Sequence, residues 1–417
     1  MERKIFFFIL IFPAIVCAGN KTSPGTSASG KYPNLFVELL HKSRPQVMSK
    51  IDSAFSQLFY GDDKTQRVFY PAGSDMGYIE DINNLDVRTE GMSYGMMIAV
   101  QLNKKELFDR LWKWAKTYMQ FQSGQHKDFF AWHCNTDGTV LDSSSASDGE
   151  QWFVMSLFFA DARWGNGGGI FNYKTEALKI LDAMLSKSDS SDSGEVVTNM
   201  FNKNYRLVVF VPNGKADGFT DPSYVLPHYY ELWARWADKN NNFWCEAARA
   251  GRKFLKAAAD TITGLTPDYC RFDGKPLKWL AGGHNNFQYD AWRVAMNAAV
   301  DYQWFGKDKW EVTECSKLQD FFYSQGLSSY GNIFTLDGKK LSSSHSAGLV
   351  AMNAVASLAS DFKNKKDFVE ELWNAPVPEG RYRYYDGMLY MLAMLQVSGN
   401  FRIYDPPGNH VTKCTND

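Results

Sequence analysis

Three carboxylates each stand where a short polar segment leads into an apolar stretch: Glu90, Asp148 and Asp290. Hydrolysis of a glycosidic bond needs two carboxyl groups in different states. One is protonated and gives its proton to the leaving oxygen, and the other is ionised and activates water or attacks carbon. Carboxylates that lie near each other and near aromatic rings have their pKa values driven apart. These residues therefore indicate acid–base chemistry on a sugar.

Aromatic residues flank the same acids, and their flat rings can stack on sugar faces. They are Trp132, Trp152, Tyr224, Tyr289, Trp292, Tyr384 and Tyr385. Aromatic residues make up 15% of the chain, and two interpretations of that excess compete: a large aromatic core or a cleft lined with rings. We expect most of the rings in the core and a minority beside the acids.

Other chemistries fit the sequence less well. Ser93 lies in a Gly-x-Ser-x-Gly segment, but the stretch before it is polar, whereas a nucleophile elbow needs a buried strand there. We therefore interpret these glycines and Ser93 as close packing at the start of a helix. The seven histidines show neither H-x-x-x-H nor H-E-x-x-H spacing, so we expect no metal, and the sequence implies no cofactor.

The elements that position these acids are predicted to be helices. Six times a polar segment leads into an apolar helix, and six helical hairpins account for most of the chain. A helix that is apolar on all sides is usually buried, so these six form an inner layer and the amphipathic helices between them an outer one. The six apolar stretches are 93–101, 152–162, 229–237, 291–303, 348–359 and 388–397. The pattern predicts an all-α toroid whose inner helices begin at one mouth.

The first 18 residues are predicted to be a secretory signal, because Arg3 and Lys4 precede an apolar run that ends at residue 16. Cleavage after Ala18 and lipidation of Cys17 in a lipobox-like segment are both open. We expect an exported protein, periplasmic or lipid-anchored at the cell envelope, with a lipid on Cys17 as its one route to a membrane. Residues 19–31 are predicted to be a flexible linker, 32–405 one catalytic domain and 406–417 a C-terminal tail.

The charge balance is nearly neutral, with 45 Lys and Arg against 46 Asp and Glu. It gives no electrostatic reason to expect a nucleic acid as partner. Of the six cysteines, those other than Cys17 form no C-x-x-C pair, which argues against a zinc site. Their odd number leaves at least one unpaired, and we expect no disulfide framework because a large core makes one unnecessary.

Segment 89–96 (TEGMSYGM) resembles the signature of glycoside hydrolase family 8. Four further segments resemble the same family in the same order: 147–150 (SDGE), 221–224 (DPSY), 289–293 (YDAWR) and 384–387 (YYDG). The resemblance covers roughly residues 32–405. It implies an (α/α)6 barrel and an inverting enzyme that acts on β-1,4-linked glycans.

The resemblance also implies roles for individual residues. Glu90 would be the general acid, Asp290 the general base, and Asp148 a third carboxylate that holds the sugar at the bond and helps to place the water. Tyr224 would assist the water and Arg293 would hold the base ionised, which agrees with the helix period because a residue three positions on faces the same side. The further residues expected to bind sugar are Trp132, Tyr289, Tyr384, Tyr385 and His345.

Within the family, the chain is most similar to exo-oligoxylanases that release xylose from the reducing end of xylo-oligosaccharides. Segment 344–349 matches a loop that closes the cleft beyond one sugar, which implies that His345 binds the reducing-end xylose. Ser346 stands where that subfamily is expected to carry Pro. An endo-β-1,4-xylanase, an endo-glucanase or a chitosanase of the same family therefore stays open. The alternative from a different class is a non-catalytic glycan-binding lipoprotein.

Overall fold

The computed structural model describes residues 25–187, 196–278, 282–406 and 414. Helices dominate these residues. In chain order they are α1 (Thr26–Ser29), α2 (Leu35–Glu38), α3 (Arg44–Tyr60), α4 (Thr89–Gln101), α5 (Lys105–Trp114), α6 (Ser147–Trp164), α7 (Tyr173–Ala183), α8 (Pro227–Trp236), α9 (Asn241–Ala258), α10 (Arg293–Phe305), α11 (Lys309–Ser324), α12 (Ala347–Ala356), α13 (Lys365–Asn374) and α14 (Arg383–Val397).

Short antiparallel strands decorate the connections between the helices. They are β1 (Phe69–Ala72) with β2 (Met76–Ile79), then β3 (Val87–Arg88), β4 (His133–Cys134) and β5 (Val140–Asp142) in one sheet, and β6 (Phe201–Asn202) with β7 (Leu207–Val208). In the three-stranded sheet, Arg88 pairs with His133. Because β3 runs directly into α4, this sheet fixes the entry of the chain into that helix.

Six helices form the inner layer: α4, α6, α8, α10, α12 and α14. In α12, every residue from Gly348 to Ala356 is buried, and α4 is buried along nearly its whole length. All-round burial is what an all-round apolar sequence requires. Each inner helix contains most of one predicted apolar stretch, so the prediction of an (α/α)6 barrel is confirmed.

The outer layer consists of α3, α5, α7, α9, α11 and α13, which pack on the inner helices. In α5, Leu107, Phe108, Leu111 and Trp112 are buried, whereas Glu106 is exposed. The apolar side chains recur at three- and four-residue spacing, so one face of the helix lies on the inner layer and the other faces water. Amphipathic sequence therefore separates the outer from the inner helices.

Ring contacts and hydrogen bonds join the inner helices into a closed circle. Tyr94 of α4 meets Trp152 of α6 at 4.7 Å between ring centroids, and Trp152 meets Tyr229 of α8 at 5.3 Å. At the seam, the Tyr384 hydroxyl of α14 donates to Glu90 of α4. These contacts, together with the hydrogen bonds at the helix starts, bring the N-termini of the inner helices to one mouth.

The predicted flexible linker is wrong for its last part. Thr26 in α1 is buried, and the Gly25 backbone lies so close to α10 that a β-carbon there would fall 2.3 Å from the Trp304 carbonyl oxygen. Packing on α10 therefore orders this segment, although its composition is polar. The predicted signal 1–18, linker residues 19–24 and most of the tail 406–417 lie outside the described residues.

The pairing of the cysteines, which the sequence leaves open, is one disulfide and three free thiols among the described residues. Cys245 of α9 is bonded to Cys414 near the end of the chain, across 169 positions, while Cys134, Cys270 and Cys315 are buried and free. The bond links Cys414, which follows the last inner helix in sequence, to the outer helix α9. In the described part of the chain, no helix is both long and apolar enough to cross a membrane.

Candidate active site

A cavity of about 790 Å³ opens at the mouth where the inner helices begin. It collects the acids at the starts of α4, α6 and α10 together with rings from four connections. The predicted residues that line it are Trp132, Asp148, Glu90, Tyr224, Tyr289, Asp290, His345, Tyr384 and Tyr385. The cavity therefore brings these predicted residues together, and the buried Arg293 contacts three of them.

Arg293 is the buried centre of this site. Its Nη1 donates to Glu90 Oε2 at 2.9 Å, to Asp148 Oδ2 at 3.1 Å and to the Tyr94 hydroxyl. Its Nη2 contacts Asp290 Oδ1 at 2.8 Å. One planar guanidinium thus orients all three predicted acids through its fork of donors, and the expected ion pair with Asp290 is present.

Glu90 has the environment that a general acid needs. Its Oε1 accepts a hydrogen bond from the Tyr384 hydroxyl at 3.0 Å, and its Oε2 accepts one from Arg293. Burial raises the pKa of Glu90 to about 7, since the opposing effect of Arg293 is shared with the charges of Asp290 and Asp148. Glu90 therefore holds a proton near neutral pH and can donate it.

Asp148 lies at the start of α6 and is buried. Its Oδ1 accepts the backbone N–H of Gly149 at 2.9 Å and its Oδ2 accepts from Arg293. Burial raises the pKa of Asp148 to about 6. Gly149 is required here because a β-carbon would fall 2.5 Å from the Thr89 side chain, so the glycine of the SDGE segment lets α6 approach α4.

Asp290 sits in a single 3-10 turn, Tyr289–Trp292, that leads into α10. Its side chain is 28% exposed, which leaves it open to the cavity. The Tyr385 hydroxyl donates to Asp290 Oδ1 at 3.3 Å and to the Tyr289 carbonyl at 3.1 Å. Tyr289 has a φ of 37°, a strained value for a non-glycine residue, and strain of this kind concentrates at functional sites.

Most aromatic residues lie in the core and a minority line the cavity, although Trp152, expected beside the acids, packs in the core between Tyr94 and Tyr229. The largest fully buried side chains include Trp112, Trp114, Trp233, Trp244 and Trp304. Trp132 lies at the cavity wall, where it stacks on His133 and carries the Arg88 guanidinium 5.5 Å from its ring centroid. The Tyr289 ring is half exposed and is available to a sugar.

His345 lies at the rim of the cavity and its orientation is fixed. Its Nδ1 donates to the Tyr330 carbonyl at 2.9 Å, which assigns the proton to Nδ1 and directs Nε2 elsewhere. The neighbouring Ser346 accepts a hydrogen bond from Asn332 Nδ2 at 2.8 Å. The rim is thus tied to the 330–334 segment by two contacts, one of them made by the serine that replaces the expected Pro.

The Ser93 hydroxyl does not face the cavity. It is fully buried and donates to the Glu90 carbonyl at 3.0 Å. Gly91 is needed for packing, because a β-carbon there would meet the Tyr384 ring at 2.5 Å. The interpretation of this segment as close packing at a helix start is confirmed, and Ser93 cannot act as a nucleophile.

Asp268 and His284 belong to the site although sequence reasoning missed them. Both lie in the long connection between α9 and α10, and His284 Nδ1 contacts Asp268 Oδ2 at 2.6 Å. One oxygen each of Asp221, Asp268 and Asp290 lies within 4.8 Å of the others, a spacing that a metal ion could span. No helical period marks this connection, so only its closure over the barrel brings the pair to Asp290.

Two other residues that line the cavity, Arg88 and Asp386, have no role predicted from the sequence. Arg88 is held by Asp86 and Asp81 beside the cavity. Asp386 Oδ1 accepts the Gly348 N–H at 3.1 Å and so joins α14 to α12. The YYDG motif contained the signal for Asp386, whereas the β3 pairing that places Arg88 is not visible in the sequence.

Comparison with known proteins adds independent information. Rex8A of Paenibacillus barcinonensis, named a reducing-end xylose-releasing exo-oligoxylanase, is 44% identical over 92% of this chain and 100% of its own. The structure of Rex8A with xylose superposes with a TM-score of 0.87 at 43% identity, covering 91% of this chain and 100% of that one. The structure of a family 8 xylanase from Teredinibacter turnerae with xylohexaose superposes with a TM-score of 0.88 at 43% identity. The match covers 92% of this chain and 100% of that one.

The model of the family described as glycosyl hydrolases family 8 matches residues 74–399. This range holds Arg293, the three acids that bind its guanidinium and all six inner helices. A non-catalytic glycan-binding protein is therefore excluded by both the family and the acid–base arrangement. The chain belongs to glycosyl hydrolases family 8 and is a glycoside hydrolase.

Proposed function

We propose that the protein hydrolyses β-1,4-linked xylo-oligosaccharides and releases xylose from the reducing end. The observation that carries this proposal is the similarity to Rex8A along 92% of the chain, joined to a cavity whose acids share one guanidinium. Glu90 donates the proton to the leaving oxygen and Asp290 takes one from water. Asp148 holds the sugar at the bond.

The hydrolysis proceeds with inversion. Inversion needs space for a water between the base and the sugar, so the two carboxyl groups in such enzymes lie about 6.5–9.5 Å apart. Glu90 and Asp290 bind different terminal nitrogens of Arg293, so the acid and the base are two separate groups held by one guanidinium. Tyr224 contributes its ring to the wall beside Asp290 and assists the water.

The rim around His345 is the basis for exo action. His345 is fixed by the Tyr330 carbonyl, and Ser346 by Asn332. A fixed imidazole at the end of the cavity leaves Nε2 to accept a hydroxyl of the terminal sugar, and the loop limits what extends beyond it.

The direct test is digestion of xylotriose labelled at its reducing end. We expect labelled xylose as the first product and unlabelled xylobiose beside it, with no product from the Glu90→Gln variant. Proton NMR of the new reducing end should show the α-anomer first. Unlabelled xylose as first product would overturn release from the reducing end, and the β-anomer would overturn inversion.

The role of the rim at His345 as a wall that limits longer sugars is tested separately with His345→Ala. The matched control is His41→Ala, which changes an exposed histidine away from the cavity. On xylohexaose we expect the wild-type protein and His41→Ala to give xylose and xylopentaose. His345→Ala should add xylobiose and xylotriose, because the terminal sugar loses its fixed contact. Identical products from all three proteins would show that His345 is not part of the wall.

The second candidate is an endo-acting xylanase. It is favoured by the Teredinibacter turnerae xylanase, which matches this chain as well as Rex8A does. Polymeric xylan distinguishes the two, since an endo enzyme lowers viscosity early and releases oligosaccharides, whereas the exo enzyme leaves the viscosity nearly unchanged.

We also propose that the protein is exported. The disulfide between Cys245 and Cys414 supports this, because disulfides persist in oxidising compartments. Mass spectrometry of the mature N-terminus from the native host tests the proposal. Diacylglycerol on Cys17 would indicate anchoring, a free N-terminus at residue 19 would indicate release, and an intact residue 1 would refute export.

A further inference from the structure

Behind the base lies a trio of carboxylates, Asp221, Asp268 and Asp290. One oxygen of each lies within 4.8 Å of one oxygen of each of the others. Asp221 has no exposed surface and Asp268 is 2% exposed. Three carboxylates so close in a buried setting cannot all carry a full charge without compensation.

The hydrogen bonds of Asp221 and Asp268 leave one carboxylate oxygen of each residue without a partner in the described protein. Asp221 Oδ1 accepts the Ser223 N–H at 2.7 Å and caps the Pro222–Tyr224 turn. Asp268 Oδ2 is bound by His284 at 2.6 Å and by Gln288 Nε2 at 3.2 Å. Asp221 Oδ2 and Asp268 Oδ1 are buried and have no partner within the described protein. Leaving such atoms unpaired is costly, so the trio needs something more.

The compensation is unevenly distributed. Asp290 has Arg293 at 2.8 Å and Asp268 has His284, whereas no salt bridge of the described residues involves Asp221. The charged and titratable groups that face Asp221 are Asp268, Asp290 and Arg293, together with the Tyr224 and Tyr269 hydroxyls and the Cys270 thiol. Asp221 is therefore the member of the trio that is easiest to neutralise.

Either a bound cation or a proton on Asp221 could reduce the repulsion among the three carboxylates. The two differ in their effect on the proposed role of Asp290 as the base. A hard cation binds carboxylate oxygens directly, and a positive charge on Asp290 would lower its affinity for the proton of water. A proton on Asp221 reduces the charge of the trio without placing a cation on the base. It also converts an orphaned acceptor into a donor.

We propose that Asp221 is a neutral carboxylic acid throughout the cycle and a positioning residue that orients the base, Asp290, through one bound water. Oxygens that lie within 4.8 Å of one another can share a single bridging water. That water accepts from Asp221 and donates to Asp268 and Asp290, which satisfies both leftover oxygens. This inference rests on the proposed role of Asp290.

The electrostatics of the site agree with this assignment. Burial raises the pKa of Asp221 well above its ordinary value, and the charges of Asp290 and Asp268 add to the effect. The proton does not move in the reaction: Asp221 keeps its O–H bond while Asp290 gains the proton of the attacking water. The bridging water donates to the charged form of the base and so holds it ready.

The decisive experiment compares Asp221→Asn with Asp221→Ala. Asn keeps the capping oxygen and places an N–H₂ donor where the hydroxyl was. We expect Asp221→Asn to retain kcat within about fivefold, and Asp221→Ala to lose about 10–100-fold, the effect of one hydrogen bond to a charged group. KM should change little in either variant, because neither group touches the sugar.

The pH profile separates positioning from mere structure. In Asp221→Ala the acidic limb of kcat/KM should move to higher pH, because the base loses a donor that favours its charged form. In Asp221→Asn the limb should stay in place. Equal melting temperatures of Asp221→Asn and wild type would show that the comparison is between folded proteins.

Each outcome decides the matter. Loss of more than about 100-fold in Asp221→Asn, equivalent to losing an ionised group, would show that Asp221 acts as a carboxylate and would overturn the inference. So would inhibition of the wild-type protein by EDTA and its recovery with Ca²⁺, since these would show a cation. If Asp290→Asn stays active, the base assignment and this inference fail together; if Asp290→Asn and Asp221→Asn are both inactive, the inference alone fails.

Discussion

Two buried arginines organise opposite kinds of site in this barrel. Arg293 of α10 is shared among Glu90, Asp148 and Asp290. Arg252 of α9 binds Asp301 through two nitrogens, at 2.6 and 2.8 Å. Both side chains are nearly inaccessible to water, yet only the first group borders the cavity.

The two groups differ in their balance of charge. Arg252 also binds Glu231 at 2.8 Å, and Lys307 binds the same oxygen at 2.7 Å, so two cations face Asp301 and Glu231. A third acid, Glu311, lies against Asp301, and burial and the charge of Asp301 raise its pKa, which favours its neutral form. Burial opposes the charge of Asp301, but Arg252 more than offsets it and the pKa of Asp301 is lowered. Around Arg293, by contrast, one cation serves three acids, and two of them have raised pKa values.

This difference shows what makes a buried charge reactive. The Arg252 group has nearly balanced charges and does not border the cavity, so its protons stay in place and it stabilises the fold. The Arg293 group has more acids than cations and borders the cavity, so one of its acids holds a proton that it can donate. Substitutions that change the charge balance of each group test this distinction. The pH dependence of activity reports the protonation state of Glu90.

The largest effect is expected from Glu90→Gln. The variant keeps the shape of the side chain but cannot donate a proton to the leaving oxygen, so kcat should fall by about 10³–10⁴-fold. The assay is xylose release from xylotriose. A loss below tenfold would refute the role of Glu90 as the acid and with it the reactive half of the comparison.

Glu90→Gln should at the same time be the more stable protein at neutral pH. The folded-state pKa of Glu90 is raised to about 7, so its contribution to stability is complete at low pH and is lost as pH rises through that value. Gln carries no such dependence. Urea unfolding at several pH values should show the variant gaining on the wild type as pH rises.

The next largest effect is expected from Arg252→Met, which leaves Asp301 and Glu231 buried beside a single cation. The free energy of unfolding should fall by about 3–5 kcal/mol, measured by urea denaturation. In the folded protein kcat should be unchanged, because this group does not reach the cavity. Arg293→Met is the matched control and should abolish kcat; if Arg252→Met did the same, the division into two kinds of site would be wrong.

A moderate effect follows from pH alone. The acid must be protonated, and burial raises the pKa of Glu90 to about 7. On the alkaline side kcat/KM should therefore fall as pH rises through about 7, by about tenfold per pH unit once Glu90 is mostly ionised. A profile that stays flat to pH 9 would show that Glu90 is not the group that limits the alkaline side.

The smallest effect is expected from Lys307→Met. Lys307 is 20% exposed and its partner Glu231 keeps Arg252. The loss of stability should be about 1 kcal/mol or less, as for other partly exposed ion pairs, and kcat should not change. A loss as large as that of Arg252→Met would mean that both cations are equally needed and that the balance is finer than we infer.

The inner helices were predictable because burial on all sides leaves a mark on sequence. Residues 348–356 of α12 contain a single strongly polar side chain, Asn353. A helix with so few polar side chains is typical of one that is buried on all sides. The acids of the mouth were predictable for a related reason, since Glu90, Asp148 and Asp290 stand at the breaks between polar and apolar sequence.

Other features depend on contacts between distant segments. Asp268 and His284 lie in a connection without a period, and their approach to Asp290 is decided by how that connection closes over the barrel. The bond between Cys245 and Cys414 spans 169 positions, and spacing cannot select a partner among five cysteines. The packed segment at Gly25 depends on the end of α10, which its own polar residues do not reveal.

Tyr384, which is synthesised late, completes the surroundings of Glu90, which is synthesised early. Its hydroxyl donates to Glu90 across 294 positions of sequence, and its ring fills the space that Gly91 leaves. A chain still emerging from the ribosome can contain Glu90, Asp148 and Asp290 and yet lack this donor until α14 docks on α4. Glu90 therefore gains this donor only once the last inner helix has been made and has docked.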